Sequence, residues 1–137
     1  MNTIKIHHIG YLVKKIESAV VSFEKLGFTL TDEITYDEIR KVNICFMEKG
    51  GYMIELVSPV SSDSVVAGLI KKYKSCPYHI CYESEQFDAT LKSMTENGYT
   101  AIDNPTPAPA FGGRKVVFLM SPTIGMVELL ESIDSND

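Results

Sequence analysis

The chain has 137 residues, a net charge of −5 and 45% hydrophobic residues, the profile of one soluble globular domain whose halves, at about 70 residues each, would be marginal alone. No basic run exceeds Lys71-Lys72, which argues against nucleic acid or an anionic membrane as a partner. No apolar stretch approaches the roughly 18 residues of a membrane span, the N-terminus lacks signal-peptide anatomy, and an odd set of cysteines (Cys45, Cys76, Cys81) fits reduced thiols in a cytoplasm.

In chain order, residues 4–13 read as a strand rich in β-branched residues. Ile16, Ala19, Val20, Phe23 and Leu26 follow at helical spacing, and Gly27 is a stop just past them. Thr29–Tyr36, Val42–Met47 and Tyr52–Val57 read as strands, the last two joined by an E-K-G-G turn suited to positive φ. Pro59–Ser64 is a polar linker, and Val65–Tyr73 a short helix. The pattern then starts again: a strand at Tyr78–Glu83, a helix at Phe87–Asn97 stopped at Asn97-Gly98, and a short strand at Tyr99–Ile102. An irregular loop from Pro105 to Gly113 leads to strands at Val116–Met120 and Met126–Leu130.

The chain therefore repeats itself. H-I-G-Y-L-V at residues 8–13 is answered by H-I-C-Y-E-S at 79–84, and each histidine precedes a glycine-aromatic pair by 19 residues. R-K-V-N-I-C-F-M (Arg40–Met47) is answered by R-K-V-V-F-L-M (Arg114–Met120). M-I-E-L-V-S (Met53–Ser58) is answered by M-V-E-L-L-E (Met126–Glu131). The offset stays between 71 and 74. The expectation is one domain spanning 1–137, built from tandem β-α-β-β-β modules at about 4–58 and 76–131.

Residues two apart in a strand share a face. Glu55 and Glu128 thus lie in the middle of apolar faces, where a carboxylate without a partner is costly. The repeat matches them with His8 and His79. Two imidazoles and two carboxylates at pseudo-symmetric positions suit one divalent metal ion. His7 points the other way on its strand and reads as a structural or surface residue. Arg40 and Arg114 read as ion-pair partners or anchors for an anionic substrate. Glu131 faces away from Glu128 and reads as solvated, and Cys76 reads as a buried thiol rather than a zinc ligand.

These modules, with H-I-G near the start and E-L in the last strand of each copy, resemble the vicinal oxygen chelate (glyoxalase/bleomycin resistance) superfamily. Within it, the chain most resembles methylmalonyl-CoA epimerases and glyoxalase I-like proteins, and the epimerase-like stretches are Ile54–Pro59, Asp63–Lys72, Tyr78–Ile80 and Gly112–Leu119. The resemblance covers roughly residues 5–131. It implies an α+β fold in which the two modules form a curved mixed sheet around a barrel-like cleft. It also implies a divalent metal (zinc, nickel, cobalt or manganese) held by His8, Glu55, His79 and Glu128.

The implied activity is metal-dependent proton transfer next to a carbonyl, with Glu128 as base and Glu55 as its partner. The substrate would be an acyl thioester, as for an epimerase, or a hemithioacetal, as for lactoylglutathione lyase. A homodimer is expected. Two other readings of the same fold are a non-catalytic small-molecule or drug-binding module and a dioxygenase. A dioxygenase would commonly use two histidines and one glutamate, and Glu55 supplies a fourth ligand.

Overall fold

Alternating apolar and polar positions in the strands, and 3.6-residue spacing in the helices, produce helix-backed strand ladders. The computed structural model describes residues 4–134. The outermost positions of the expected domain, 1–3 and 135–137, lie outside them. The elements are β1 (Ile4–Leu12), α1 (Ile16–Lys25), β2 (Thr29–Leu30), β3 (Thr35–Asp37), β4 (Val42–Lys49), β5 (Tyr52–Pro59) and α2 (Ala67–Tyr73). They continue with β6 (Cys76–Ser84), α3 (Phe87–Glu96), β7 (Thr100–Ala101), β8 (Thr106–Pro107), β9 (Lys115–Ser121) and β10 (Gly125–Glu131), plus a 3-10 turn at Pro109–Phe111. No helix among the described residues is long and apolar enough to cross a membrane.

Two compact units are distinguished, residues 8–78 and residues 79–134 together with 4–7. The N-terminal unit orders its strands β2-β4-β5-β1, with β3 also on β4. β1 runs parallel to β5, with Gly10 opposite Glu55. β4 and β5 form an antiparallel hairpin in which Phe46 opposes Glu55, turning through Gly50 and Gly51 at φ 56° and 85°. One face of this sheet packs on α1 through Val13, Ile16, Cys45, Met47, Ile54 and Leu56. The helix ends where Gly27 takes φ 95°. A Cβ there would lie 2.5 Å from Lys49 Nζ, which itself donates to the Leu26 carbonyl at 2.6 Å. Only glycine fits that stop without displacing the lysine.

The C-terminal unit repeats the plan as β6-β10-β9-β7, with β8 on β9. β10 is parallel to β6 and antiparallel to β9. α3 covers Phe87, Met94, Val117, Leu119, Val127 and Leu129. The first residues of β1 belong to this unit rather than to the first module, contrary to a division at 4–58 and 76–131. Their contacts explain it: Lys5 Nζ lies 3.8 Å from Glu83 Oε1, and His7 meets the Phe111 ring edge-on at 5.4 Å.

Three local expectations are corrected. The expected strand Thr29–Tyr36 is two short strands, Thr29–Leu30 and Thr35–Asp37, and between them Asp32 accepts the Glu33 N–H at 2.8 Å. The loop after Pro105 is not wholly irregular: β8 pairs Thr106 with Val116. Each copy is therefore β-α-β-β-β-β. The third correction concerns register. Phe46 opposes Glu55 and Phe118 opposes Glu128, so Met47 corresponds to Leu119, not Met120. By the same ladders Arg114 corresponds to Val42, and Arg40 lies two residues earlier. The R-K-V similarity is out of step with the sheet because the turns before β4 and β9 differ in length.

All three cysteines are thiols. Cys45 and Cys81 are fully buried. Burial, and secondarily the charge of Asp32, pushes the Cys45 thiol above its ordinary value, which keeps it protonated and unreactive. A disulfide reagent should therefore modify Cys76 quickly in the native protein and the other two only on unfolding; three fast thiols would contradict this packing. In the same cores, Leu129→Ala should cost about 2–5 kcal/mol in denaturant unfolding.

Candidate metal centre

In each unit, the strand face turned away from the helix carries the buried histidine and glutamate. In the N-terminal unit, His8 and Glu55 reach the same spot because Gly10 opposes Glu55 on the neighbouring strand and His8 is two residues from Gly10. His8 Nε2 and Glu55 Oε1 are 3.3 Å apart, with side chains 0% and 4% exposed. The Phe46 ring meets the imidazole edge-on at 5.5 Å.

The C-terminal unit builds the same arrangement. Cys81 opposes Glu128, and His79 is two residues from Cys81. His79 Nε2 and Glu128 Oε1 are 3.0 Å apart, again almost fully buried. Phe118 meets His79 edge-on at 5.1 Å. Cys81 stands opposite Glu128 where Gly10 stands opposite Glu55.

A carboxylate buried among Val, Ile, Leu and Phe side chains needs a specific partner. The imidazole supplies one in each unit. The geometry also suits coordination. Ligands about 2.0–2.1 Å from one ion, at angles of roughly 90–110°, lie about 2.8–3.4 Å apart. The separations of 3.3 and 3.0 Å fall inside that interval. Neutral imidazole and carboxylate are the donor types that zinc, nickel, cobalt and manganese accept. Each His–Glu pair thus fits half of a divalent metal site.

The other candidates from the sequence have structural roles. Arg40 Nη1 donates to Asp37 Oδ2 at 2.8 Å, and its backbone N–H to Asp37 Oδ1 at 3.0 Å. Its carbonyl accepts the Ser64 hydroxyl at 3.2 Å, which ties the linker to the β3–β4 turn. Arg114 donates to Glu83 at 3.1 Å and to the carbonyls of Glu131 and Phe111, both at 3.2 Å. It braces β6, β10 and the loop at once. Glu131 is half-buried rather than solvated: its carboxylate accepts the Lys115 N–H at 3.2 Å. Cys76 is half-buried.

Phe46, Phe118 and Asp37 are the residues that sequence reasoning missed. The two phenylalanines could have been found by aligning the copies outward from the glutamates rather than through R-K-V. Asp37 has no counterpart in the second copy, so the repeat gave no signal for it.

Residues 7–118 match the family model of the Glyoxalase/Bleomycin resistance protein/Dioxygenase superfamily. The Bacillus subtilis protein YqjC is 30% identical over 131 residues, covering 93% of this chain and 91% of that one. Human mitochondrial methylmalonyl-CoA epimerase is 26% identical over 129 residues, covering 91% of this chain and 72% of the enzyme. Among solved structures, the Bacillus halodurans protein BH1468 has a TM-score of 0.84 at 27% identity, covering 98% and 99% of the two chains. Likeness over that extent shows a common α+β fold of paired modules.

The phenylalanine edges should hold the imidazole planes. Phe46→Ala is expected to cost about 3–5 kcal/mol of stability and to broaden the His8 ring resonances in NMR spectra. A sharp, unshifted His8 signal in that variant would show that the ring is oriented by something else.

Proposed function

The chain belongs to the glyoxalase/bleomycin resistance/dioxygenase superfamily, and within it we propose a metal-dependent epimerase of α-substituted acyl thioesters. The observation that carries this reading is the occurrence of one buried His–Glu pair in each unit, with ligand-like separations of 3.3 and 3.0 Å. Kinship with enzymes named methylmalonyl-CoA epimerase, at 26% identity, supports a thioester over a hemithioacetal.

In this reading the two units make one domain, and His8, Glu55, His79 and Glu128 hold a single divalent ion. Zinc, cobalt, nickel and manganese all suit that donor set. Such an ion would polarise the thioester carbonyl and favour the enolate. The protein's own part is proton transfer. With Oε1 turned to His79, Glu128 would take the α-proton on Oε2, and Glu55, entering the turnover protonated, would deliver its own proton to the α-carbon; proton exchange with solvent would then reset both carboxyls. Apolar neighbours, among them Phe46, Phe118, Val57 and Leu130, keep water from the reacting carbon and strengthen each charge interaction. The expected homodimer and the cytoplasmic setting belong to this proposal too; three thiols in one short chain support a reducing compartment.

His8→Ala and His79→Ala should each lose most of the bound metal, measured by elemental analysis of purified protein. Retention of near wild-type metal in both variants would remove the shared site. With metal-loaded protein and methylmalonyl-CoA in deuterated water, deuterium should enter at the α-carbon. Glu128→Gln should still bind the thioester but turn over about 10²–10⁴-fold more slowly, because an amide keeps the shape and loses the basicity. Turnover of a glutathione hemithioacetal alone would move the assignment to a lactoylglutathione lyase. Failure to turn over either class would favour the binding-module reading.

A further inference from the structure

The helix-covered side of the N-terminal unit, the side opposite His8 and Glu55, holds a groove of about 540 Å³ between α1, the end of β1 and Ser75. That volume is within the range of about 300–1,000 Å³ typical of small-molecule cavities. Two stripes of α1 line it. Ala19 and Phe23, with Leu26 at the helix C-cap, make it apolar, and Ser18 and Ser22, one turn apart, add hydroxyls. Two of its lining rings, Tyr11 and Phe23, meet edge-on at 5.1 Å, and Phe28, outside the lining, meets Phe23 edge-on at 5.3 Å. Interlocked rings make a rigid wall that a ligand can pack on.

The charge at the rim is one-sided. Lys14 and Lys15 line the groove, and no carboxylate among the described residues does, although the chain as a whole carries −5. Glu17 and Glu24 lie on the same helix outside the lining. An apolar slot with two ammonium groups and neighbouring hydroxyls complements a molecule with a hydrophobic body and one anionic end.

We propose that this groove is a second, non-catalytic binding site for a small anionic amphiphile, a medium-chain carboxylate in chemical class. The apolar tail lies along Tyr11, Phe23 and Leu26, and the carboxylate meets Lys14, Lys15 and the serine hydroxyls. The site uses none of the His–Glu residues, so it stands whether or not the chain is an epimerase.

The test is an NMR titration of isotope-labelled protein with dodecanoate below its micelle concentration. Saturable shifts should centre on the amides of Ser18, Ala19, Ser22 and Ser75. The double variant Lys14→Glu/Lys15→Glu, altered only at exposed positions, should weaken binding by about tenfold or more. Ser22→Phe, at an exposed helix position, should fill the slot and abolish it. Dodecyltrimethylammonium, with the same tail and the opposite charge, should bind far more weakly. Shifts centred elsewhere, unchanged affinity in both variants, or equal binding of the cation would overturn the proposal. So would sedimentation showing that Ser22→Phe breaks an oligomer, since the groove would then be occupied by a second copy of the chain.

Discussion

A carboxylate set into the middle of an apolar strand face is the most demanding placement in either unit, and the imidazole beside it is what makes it tolerable. Leaving such a group without a partner in a protein interior costs several kcal/mol. Each unit meets the demand by the same device. A parallel strand pair brings a histidine diagonally next to the glutamate, and the residue directly opposite is small: Gly10 in one case, Cys81 in the other. The aromatic edges of Phe46 and Phe118 then close around the rings. Register and aromatic packing both serve one polar contact.

Strand alternation separates this chemistry from the cores. Ile54 and Leu56 flank Glu55 and point to α1, while Val127 and Leu129 flank Glu128 and point to α3. A one-residue slip in either ladder would expose the core residues and drive the glutamate under the helix. The hydrophobic faces therefore fix the position of the reactive groups, and the fold's stability and its candidate chemistry rest on the same register. The arginines act further out. Asp37–Arg40 and Arg114–Glu83 hold the turns that lead into β4 and β9, each by a local solution of its own.

Much of this was legible in the residues. Gly27 and Gly98 marked the helix ends because only a glycine adopts those positive φ values readily. The matched His and Glu stood out because polar groups at apolar positions are improbable twice over. Other features lay beyond that logic. The break between β2 and β3 falls in a short bend around Asp32, and β8 is two residues long and paired with β9 alone among the described residues. The R-K-V similarity misled because turn lengths before β4 and β9 are set by different contacts, a buried ion pair in one and a loop braced on Arg114 in the other. The assignment of β1's first residues to the C-terminal unit follows from contacts of Lys5 and His7 with residues more than seventy positions away, which no local pattern encodes.

The claim on which the functional reading turns is that both His–Glu pairs serve one ion. Calorimetric titration of metal-free protein with cobalt(II), combined with X-ray absorption spectroscopy of the complex, measures it directly. One ion per chain, with two imidazoles and only nitrogen and oxygen neighbours, is the predicted result. Two ions per chain with one imidazole each, or a sulfur neighbour from a cysteine, would contradict it.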